Sequence, residues 1–196
     1  RYLQQRPMLL TTNKPLADLY SADVRSGKPG HVRLVDGTLC TPLNDGPASF
    51  SPSGETVCIT RNMPTGKGKR KAALLGLYFA VRTGTSWGEV RPFDYNSENW
   101  SVMHGSFSAD GLSLFFASDK PGGTGGTDLY VCHKQGEEWT VPQNLGPEVN
   151  SPANELFPNA GPHGTLVFSS DRRGGLGKLD LYASEFEGSD YSLLLD

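Results

Sequence analysis

The sequence predicts an all-β fold, namely a β-propeller built from four-stranded antiparallel blades. The first observation is a recurring tyrosine at intervals of 58, 52 and 52 residues: Tyr20, Tyr78, Tyr130 and Tyr182. The second is an aromatic residue that follows each of the last three tyrosines and keeps intervals of 52 and 52: Trp87, Trp139 and Tyr191. Periods near 50 residues with several short strands per unit are typical of propeller blades. The third is that no segment keeps a 3.6-residue apolar period, so we predict almost no helix.

Composition and charge agree with this fold and narrow the function. Hydrophobic residues make up 36% of the 196-residue chain, with 24 Gly and 14 Pro, which suits a turn-rich β protein. The net charge of −3 gives no electrostatic reason to predict nucleic acid as a partner. No apolar run approaches 20 residues, so we predict no direct membrane insertion.

The first predicted unit covers about residues 8–46 and is the least regular. Residues 1–7 are polar and are interpreted as a linker or the remnant of an upstream element. Short strands are predicted at 8–12, 17–24 and 31–35. If the strands of a blade are named a to d from the propeller axis outwards, this unit begins at strand b and lacks strand a.

The next three units, 47–101, 102–154 and 155–196, each contain four predicted strands. In chain order these are 47–50, 57–60, 75–81 and 87–93; 104–107, 112–117, 128–133 and 139–145; and 156–160, 166–169, 179–186 and 191–195. The chain therefore holds about four blades, one of them incomplete. Because ring closure is what removes open sheet edges in a propeller, this arrangement also fits part of a five- or six-bladed ring.

The turns between strands a and b carry a family resemblance. Residues 107–111 and 115–119, and likewise 157–171, resemble the WD40-like repeat of the TolB-type propellers, in which Ser-Pro-Asp-Gly precedes a strand ending in Ser-Ser-Asp. The pattern from Asp119 to Tyr130, followed by Trp, Pro and Asn-Leu-Gly, is similar to propellers of OmpA-family outer-membrane proteins of Bacteroidetes-type bacteria, including a type IX secretion component. This resemblance implies a periplasmic, outer-membrane-associated protein that binds other envelope proteins, with peptidoglycan contacted through further domains.

Paired carboxylates flank the Gly-rich b–c loops of the third and fourth units. Asp119 and Asp128 are nine residues apart, and so are Asp171 and Asp180. Carboxylates around a flexible loop could bind calcium. However, the position of Asp119 is occupied by Asn62 in the second unit and by Asn13 in the first, and Asn and Asp share the ability to bond backbone groups at turns. This favours a structural clamp, and we predict no metal and no cofactor.

No catalytic constellation is predicted. The four histidines, His31, His104, His133 and His163, are scattered over different units, and Ser106 and Ser108 do not lie in a Gly-x-Ser-x-Gly turn. The repeat places Trp87, Trp139 and Tyr191 at the start of strand d, which predicts packing between blades rather than a stacking platform. Cys40, Cys58 and Cys132 are too far apart for a disulfide framework or zinc site and are interpreted as small packed side chains.

Charge is concentrated in the b–c loops, which hold half of the 18 Lys and Arg residues. These loops share one face of the propeller with the d–a connections, which carry Asp45, Glu98, Glu148 and Glu155. A surface of both signs favours steering of a protein partner, although plain solvated loop charges explain it equally well. The predicted partner-binding residues are Lys67, Lys69, Arg70, Lys71, Arg172 and Arg173 from the b–c loops, and Trp100, Asn150 and Glu155 from the d–a connections.

The sequence therefore predicts a non-catalytic, protein-binding domain of the cell envelope. One alternative is a propeller that binds glycans or peptidoglycan fragments, for which Trp100 is the candidate exposed aromatic residue. Another is a propeller that is accessory to a hydrolase located elsewhere in the same protein. Here the assignment of function rests on fold analogy, because one propeller fold serves many functions.

Overall fold

The computed structural model describes residues 16–35, 37–63, 74–187 and 190–194, and the predicted all-β propeller architecture is confirmed. The first unit is a hairpin of β1 (Tyr20–Arg25) and β2 (Lys28–Leu34). The predicted strand 8–12 and the insertion at 64–73 lie outside the described residues. In the part of the chain that is described, the helical structure is a single 3₁₀ turn, Pro162–Gly164, and no helix has the length and hydropathy that a membrane crossing requires.

Three antiparallel blades follow the hairpin, and in each sheet strands a, b, c and the first part of strand d pair in chain order. The second blade contains β3 (Asp45–Phe50), β4 (Thr56–Asn62), β5 (Leu75–Thr83), β6 (Ser86–Trp87) and β7 (Arg91–Pro92). The third contains β8 (Val102–Phe107), β9 (Ser113–Ser118), β10 (Asp128–Gln135), β11 (Glu138–Trp139) and β12 (Gln143–Asn144). The fourth contains β13 (Glu155–Ala160), β14 (Leu166–Ser170), β15 (Asp180–Glu187) and β16 (Asp190–Leu194).

The outer strand d is interrupted in the second and third blades, so the prediction of continuous strands at 87–93 and 139–145 is wrong. In each blade two short pieces pair with strand c, β6 and β7 with β5, and β11 and β12 with β10. In the third blade the break contains Pro142, which has no N–H to donate to the ladder. An edge strand tolerates such a break because it pairs with a neighbour on one side only.

The inner strand a of each blade contains a β-bulge at an equivalent position. The pairing with strand b shifts between Asp45 and Ala48, between Met103 and Ser106, and between Leu156 and Asn159. Two of the bulge residues are bulky and still adopt positive φ, namely His104 (58°) and Phe157 (52°). Such backbone is rare for bulky side chains, and a bulge re-aims the side chain it carries.

The core is divided into three clusters, one at each interface between successive units. Strand alternation explains this, because neighbouring residues of strand b point to opposite faces of the blade. In the third blade Leu114 and Phe116 face the second blade, whereas Phe115 and Ala117 face the fourth. The first interface is formed by Leu39, Val57, Ile59 and Ala80, packed against Leu19, Val35, Ala48, Trp87 and Val90.

The marker tryptophans lie at these interfaces, as predicted. Trp139 of the third blade packs against the cluster that contains Phe79 of the second blade, and Tyr95 Oη donates a hydrogen bond to its carbonyl (3.2 Å). Trp87 packs against the cluster shared with the first unit. The side chain of Tyr191 is outside the described residues. Cys58 and Cys132 are buried in the core, whereas Cys40 is half-buried.

Candidate functional site

The sharpest predicted binding element, the insertion with Lys67, Lys69, Arg70 and Lys71, lies outside the described residues. Its role therefore stays a prediction. Of the remaining b–c loop cations that the structure describes, Lys120, Arg173 and Lys178 are exposed. All three lie in b–c loops, and Arg173 is one of the residues that the sequence predicts as partner contacts.

Arg172 and Glu155 form an ion pair in the interior and are not part of a charged surface. The Glu155 side chain is 0% exposed and that of Arg172 is 14% exposed, with Arg172 Nη2 donating to Glu155 Oε1 at 3.1 Å. The same carboxylate accepts hydrogen bonds from Ser151 and Ser170. The guanidinium also lies over the Tyr182 ring, 4.7 Å from its centroid. Both side chains therefore tie the fourth blade to the connection that precedes it, and the proposed binding surface excludes them.

The second blade contains an analogous pair. Arg61 Nε donates to Asp45 Oδ1 at 2.5 Å, the Asp45 side chain is 0% exposed, and Arg61 lies over the Tyr78 ring. Asp45 was expected to contribute to the acidic side of the surface. Because a buried carboxylate needs a cation and hydrogen-bond donors around it, Asp45 is part of the fold's interior rather than of its charged surface.

Asn150 is 1% exposed and bonds the backbone of strand c. Its Oδ1 accepts from Leu129 N (2.7 Å), and its Nδ2 donates to Leu129 O (3.0 Å). Asn96 makes the same two bonds to Leu77 in the second blade. The carbonyls of Leu129 and Leu77 also accept from Leu145 N and Phe93 N, so each asparagine amide provides the acceptor for the leucine N–H and adds a second donor to the leucine carbonyl. A residue this deeply buried has no surface to offer a partner.

Trp100 is half-buried rather than exposed at the channel mouth. It packs against the cluster between the second and third blades, which contains Phe93 and Val102. The role of Trp100 as a partner contact stays a prediction.

The predicted carboxylate clamps are present, but the two aspartates of each pair bond to two different segments. Asp119 Oδ1 accepts from Ser101 N at 2.6 Å and Asp171 Oδ1 from Asn154 N at 2.8 Å, and Asn62 Oδ1 makes the equivalent bond to Asn44 N. These three side chains therefore hold the residue that precedes strand a. The shared use of Asp and Asn at this position agrees with a structural clamp.

The second aspartate of each pair closes its own Gly-rich loop. Asp128 is 2% exposed and accepts from Thr124 N (2.5 Å) and Gly125 N (3.0 Å), and Asp180 accepts from Gly177 N. A methyl group on Gly123 would overlap the Asp128 carboxylate, so the loop needs glycine there. The oxygens that calcium would use are thus occupied by backbone N–H groups, and the described residues contain no group of three or more His, Cys, Asp or Glu side chains arranged for a metal ion.

His104 and Phe157 form a stacked pair on the inner strands, which the sequence did not predict. Their ring centroids are 3.8 Å apart with an interplanar angle of 16°, and Phe157 N donates to His104 Nδ1 at 3.4 Å. In the preceding blade the corresponding N–H, that of His104, donates to Thr60 Oγ1. Because the repeat places Ala117 where Thr60 stands, the imidazole supplies the missing acceptor. The sequence signal was the alignment of His104 with Phe157 across the repeat.

Burial lowers the pKa of His104 to about 4. The folded state therefore binds this proton less readily than the unfolded chain, and stability falls as the pH drops from about 6.5 towards 4. We expect the free energy of unfolding to decrease by up to about 3 kcal/mol across this window. The measurement is urea unfolding at a series of pH values.

The matched pair for this experiment is His104→Asn and His163→Asn, because both histidines have positive φ and His163 is exposed. Asn accepts hydrogen bonds and tolerates this backbone. His104→Asn is expected to flatten the pH dependence above pH 4, and His163→Asn to leave it unchanged. The lowered pKa values of Asp110 and Asp171, caused by hydrogen bonds to their carboxylates, affect stability only below that window. An unchanged slope in His104→Asn would contradict the assignment.

A cleft of about 570 Å³ separates the third and fourth blades on the opposite face, where the a–b turns lie. Ser113 Oγ lies 3.0 Å from His133 Nδ1 at its rim. The nearby Asp110 carboxylate accepts hydrogen bonds from Ser108 Oγ and Leu112 N, and these bonds lower its pKa. No carboxylate is seen to orient the imidazole, so the described groups do not form the nucleophile–base–carboxylate series of a hydrolase.

Comparison with known proteins supports the fold. The chain is similar to TolB from Acinetobacter baumannii (TM-score 0.51, 16% identity, 84% of this chain and 34% of that one). It is also similar to the TolB-like protein of Agrobacterium tumefaciens (TM-score 0.54, 16% identity, 90% and 60%). A puromycin-hydrolyzing peptidase of Mycobacterium tuberculosis has a TM-score of 0.53 at 15% identity (79% and 24%). No protein-family model and no curated protein matches.

These similarities identify a TolB-like propeller fold. The chain spans about one third of one TolB structure and 60% of the other. Identities near 16% show the architecture alone. They agree with the TolB-type resemblance that the a–b turns predicted.

Proposed function

We propose that this chain is a non-catalytic, protein-binding propeller domain of the bacterial cell envelope that presents its b–c loops to a partner. One observation carries the proposal. The exposed cations Lys120, Arg173 and Lys178 extend from loops whose bases are held by aspartate clamps. Loops that are ordered before binding lose less conformational entropy on association, which favours affinity.

The charge around these loops supports a protein partner. Glu98 and Glu148 are exposed on the d–a connections of the same face. Cations and carboxylates in alternation align a partner in one register and speed its association. The ion pairs Asp45–Arg61 and Glu155–Arg172 take no part in this pattern, because they are interior.

The cellular setting of the proposal rests on resemblance. The a–b turns resemble TolB-type propellers, the pattern from Asp119 to Tyr130 resembles OmpA-family propellers, and the fold is TolB-like. We therefore propose a periplasmic domain of an outer-membrane-associated assembly, of the type IX secretion kind, with envelope proteins as partners in protein transport. Peptidoglycan would be contacted through other domains of the full protein.

A glycan or peptidoglycan-fragment ligand is the second candidate, because one aromatic residue of an inner strand is exposed. Phe157 is 46% exposed on the inner strand and is backed by His104. Such a pair offers one open aromatic face for the apolar side of a sugar. Loss of fragment binding in Phe157→Ala, with retained binding in the b–c loop variant, would favour this candidate over the first.

A third candidate, a propeller accessory to a hydrolase, follows from the similarity in fold to the mycobacterial peptidase, of which the chain covers 24%. In this case the catalytic residues would lie outside the chain. Puromycin hydrolysis is a property of that peptidase. Hydrolase activity found in the full-length protein but not in this domain alone would support the accessory role.

The loop proposal is tested with two triple variants. Lys120→Ser, Arg173→Ser and Lys178→Ser remove cations from the b–c face. Lys28→Ser, Arg82→Ser and Lys134→Ser remove three exposed cations beside the c–d turns and are the matched control. Both variants should keep the melting temperature, because exposed charges contribute only about 0–1 kcal/mol each.

The first readout is capture of envelope proteins from detergent-solubilised membranes. The affinity of the domain for the retained protein is then measured at a series of salt concentrations. We expect the b–c variant to bind at least about tenfold more weakly, which corresponds to 1.4 kcal/mol. Adding the substitutions Lys67→Ser, Lys69→Ser, Arg70→Ser and Lys71→Ser should weaken binding further. Equal loss in the control variant would show a nonspecific charge effect and reject the loop surface.

A further inference from the structure

A leucine of strand c is buried against the next blade in the second and third blades, but is exposed in the fourth. Leu77 and Leu129 are both 0% exposed and belong to the clusters shared with the third and fourth blades, respectively. Their repeat equivalent, Leu181, is 76% exposed. The equivalence follows from strand register, because the three leucines pair with matching residues of strand b: Thr60, Ala117 and Ser169. Leu181 therefore occupies a buried position of the repeat without a blade that buries it.

The rest of this face of the fourth blade is apolar. Phe168 and Tyr182 pack against the third blade, so strand alternation directs the side chains of Val167 and Ala183 to the opposite face, beside Leu181. In the third blade the residues equivalent to these two belong to the cluster shared with the fourth: Phe115 and Val131. Val167, Leu181 and Ala183 thus form a surface of the type that a following blade covers, and we call it the tail face.

The b–c loop of the fourth blade is open in the same way. In the third blade a methyl group on Gly125 would overlap the carbonyl oxygens of Ser151 and Ala153, which belong to the connection to the following blade. Gly177 is the equivalent residue of the fourth blade, and a methyl group there would meet no atom closer than 3.9 Å. Strand c and the b–c loop therefore both show an interface position that is packed in the third blade and open in the fourth.

The first unit exposes the complementary type of face. The marker tyrosines Tyr130 and Tyr182 belong to or pack on the clusters shared with the preceding blade. Their equivalent Tyr20 is 48% exposed. It pairs with Leu34, so these two residues and Val32, two positions before Leu34, lie on one face of the hairpin. Leu34 is 39% and Val32 is 57% exposed, and we call these three residues the head face.

We propose that the tail face of one copy of this chain binds the head face of a second copy. A second copy supplies the complement, because each chain carries one face of the type that a following blade covers and one of the type that a preceding blade covers. Apolar patches on a protein surface mark such contacts. The proposed b–c loop surface is a separate matter, since none of its cations belongs to either face.

Head-to-tail contact between two copies also closes the sheet array. Two copies joined through both pairs of faces form a ring of eight sheets, twice the four of one chain. Propellers typically contain roughly four to eight blades, and a heterologous interface gives a ring when its rotation closes. Closure covers both apolar faces of each copy, so we expect a dimer rather than an open filament.

The association state of the intact chain is measured by sedimentation velocity at about 1–100 µM. We expect the wild type to sediment with twice the mass of one chain. Leu181→Arg places a charge on the tail face and Val32→Arg places one on the head face. Each should weaken association at least about tenfold, because burial of the apolar side chain is lost. Leu176→Arg is the matched control, since Leu176 is 102% exposed in the b–c loop of the same blade, and it should leave association unchanged.

Mixing the two variants tests the head-to-tail arrangement. An equimolar mixture of Leu181→Arg and Val32→Arg contains one pair of unmodified faces, so it should associate at concentrations where each variant alone is monomeric. Wild-type association of Val32→Arg alone would indicate contact between two tail faces and would overturn the proposal. A wild-type monomer over the whole concentration range, or equal loss of association in Leu176→Arg, would also overturn it. Circular dichroism checks that the variants fold, and Leu181→Ser replaces Leu181→Arg if the latter does not.

Discussion

Replacing Arg172 with methionine is expected to lower the free energy of unfolding by about 3–5 kcal/mol. The substitution removes the cation from a carboxylate, Glu155, that is 0% exposed. Methionine has a similar length and keeps the packing over the Phe168 and Tyr182 rings, so the loss reports mainly the uncompensated charge. Equilibrium unfolding in urea, with the slope compared between variants, measures it.

Arg173→Met is the matched control, because Arg173 is the exposed neighbour in the same loop. It should change stability by no more than about 0.5 kcal/mol. Adding Glu155→Gln to Arg172→Met should recover a large part of the loss, since the buried charge is then gone. A loss below 1 kcal/mol in Arg172→Met would mean that the bonds from Ser151 and Ser170 suffice to stabilise the carboxylate.

Gly125→Ala is expected to destabilise the protein by about 3 kcal/mol. An added methyl group would overlap the carbonyl oxygens of Ser151 and Ala153, which are backbone atoms and cannot rotate away. At this point the b–c loop of the third blade lies against the connection to the fourth, where Gly126 N donates to Ala153 O at 2.9 Å. The substitution should therefore loosen the contact between these blades.

Gly177→Ala is the matched control in the fourth blade, because a methyl group there would have no neighbour closer than 3.9 Å. It should be neutral or stabilise by up to about 1 kcal/mol through the unfolded chain. Thermal unfolding and amide hydrogen exchange of residues 124–127 and 151–155 would report both effects. Normal stability in Gly125→Ala would show that the two segments can separate at little cost.

Part of the candidate site could be predicted from the sequence. Asp119, Asp171 and Asn62 occupy one position of the repeat. This indicated a backbone clamp rather than a calcium site, because Asp and Asn share the ability to bond backbone N–H groups. The burial of Asn150 and Glu155 could not be predicted from the repeat. Each is polar and follows a turn, and its burial depends on segments 15 or more residues distant, such as Ser170 and Leu129.

Strand order, blade period and inter-blade tryptophans are properties that the sequence by itself determined, because turns and two-residue alternation are local signals repeated at one spacing. The tertiary structure alone decided which charges are paired in the interior and that His104 stacks on Phe157. These outcomes depend on the volume and hydrogen-bonding needs of side chains that meet only when blades pack, so no local pattern encodes them.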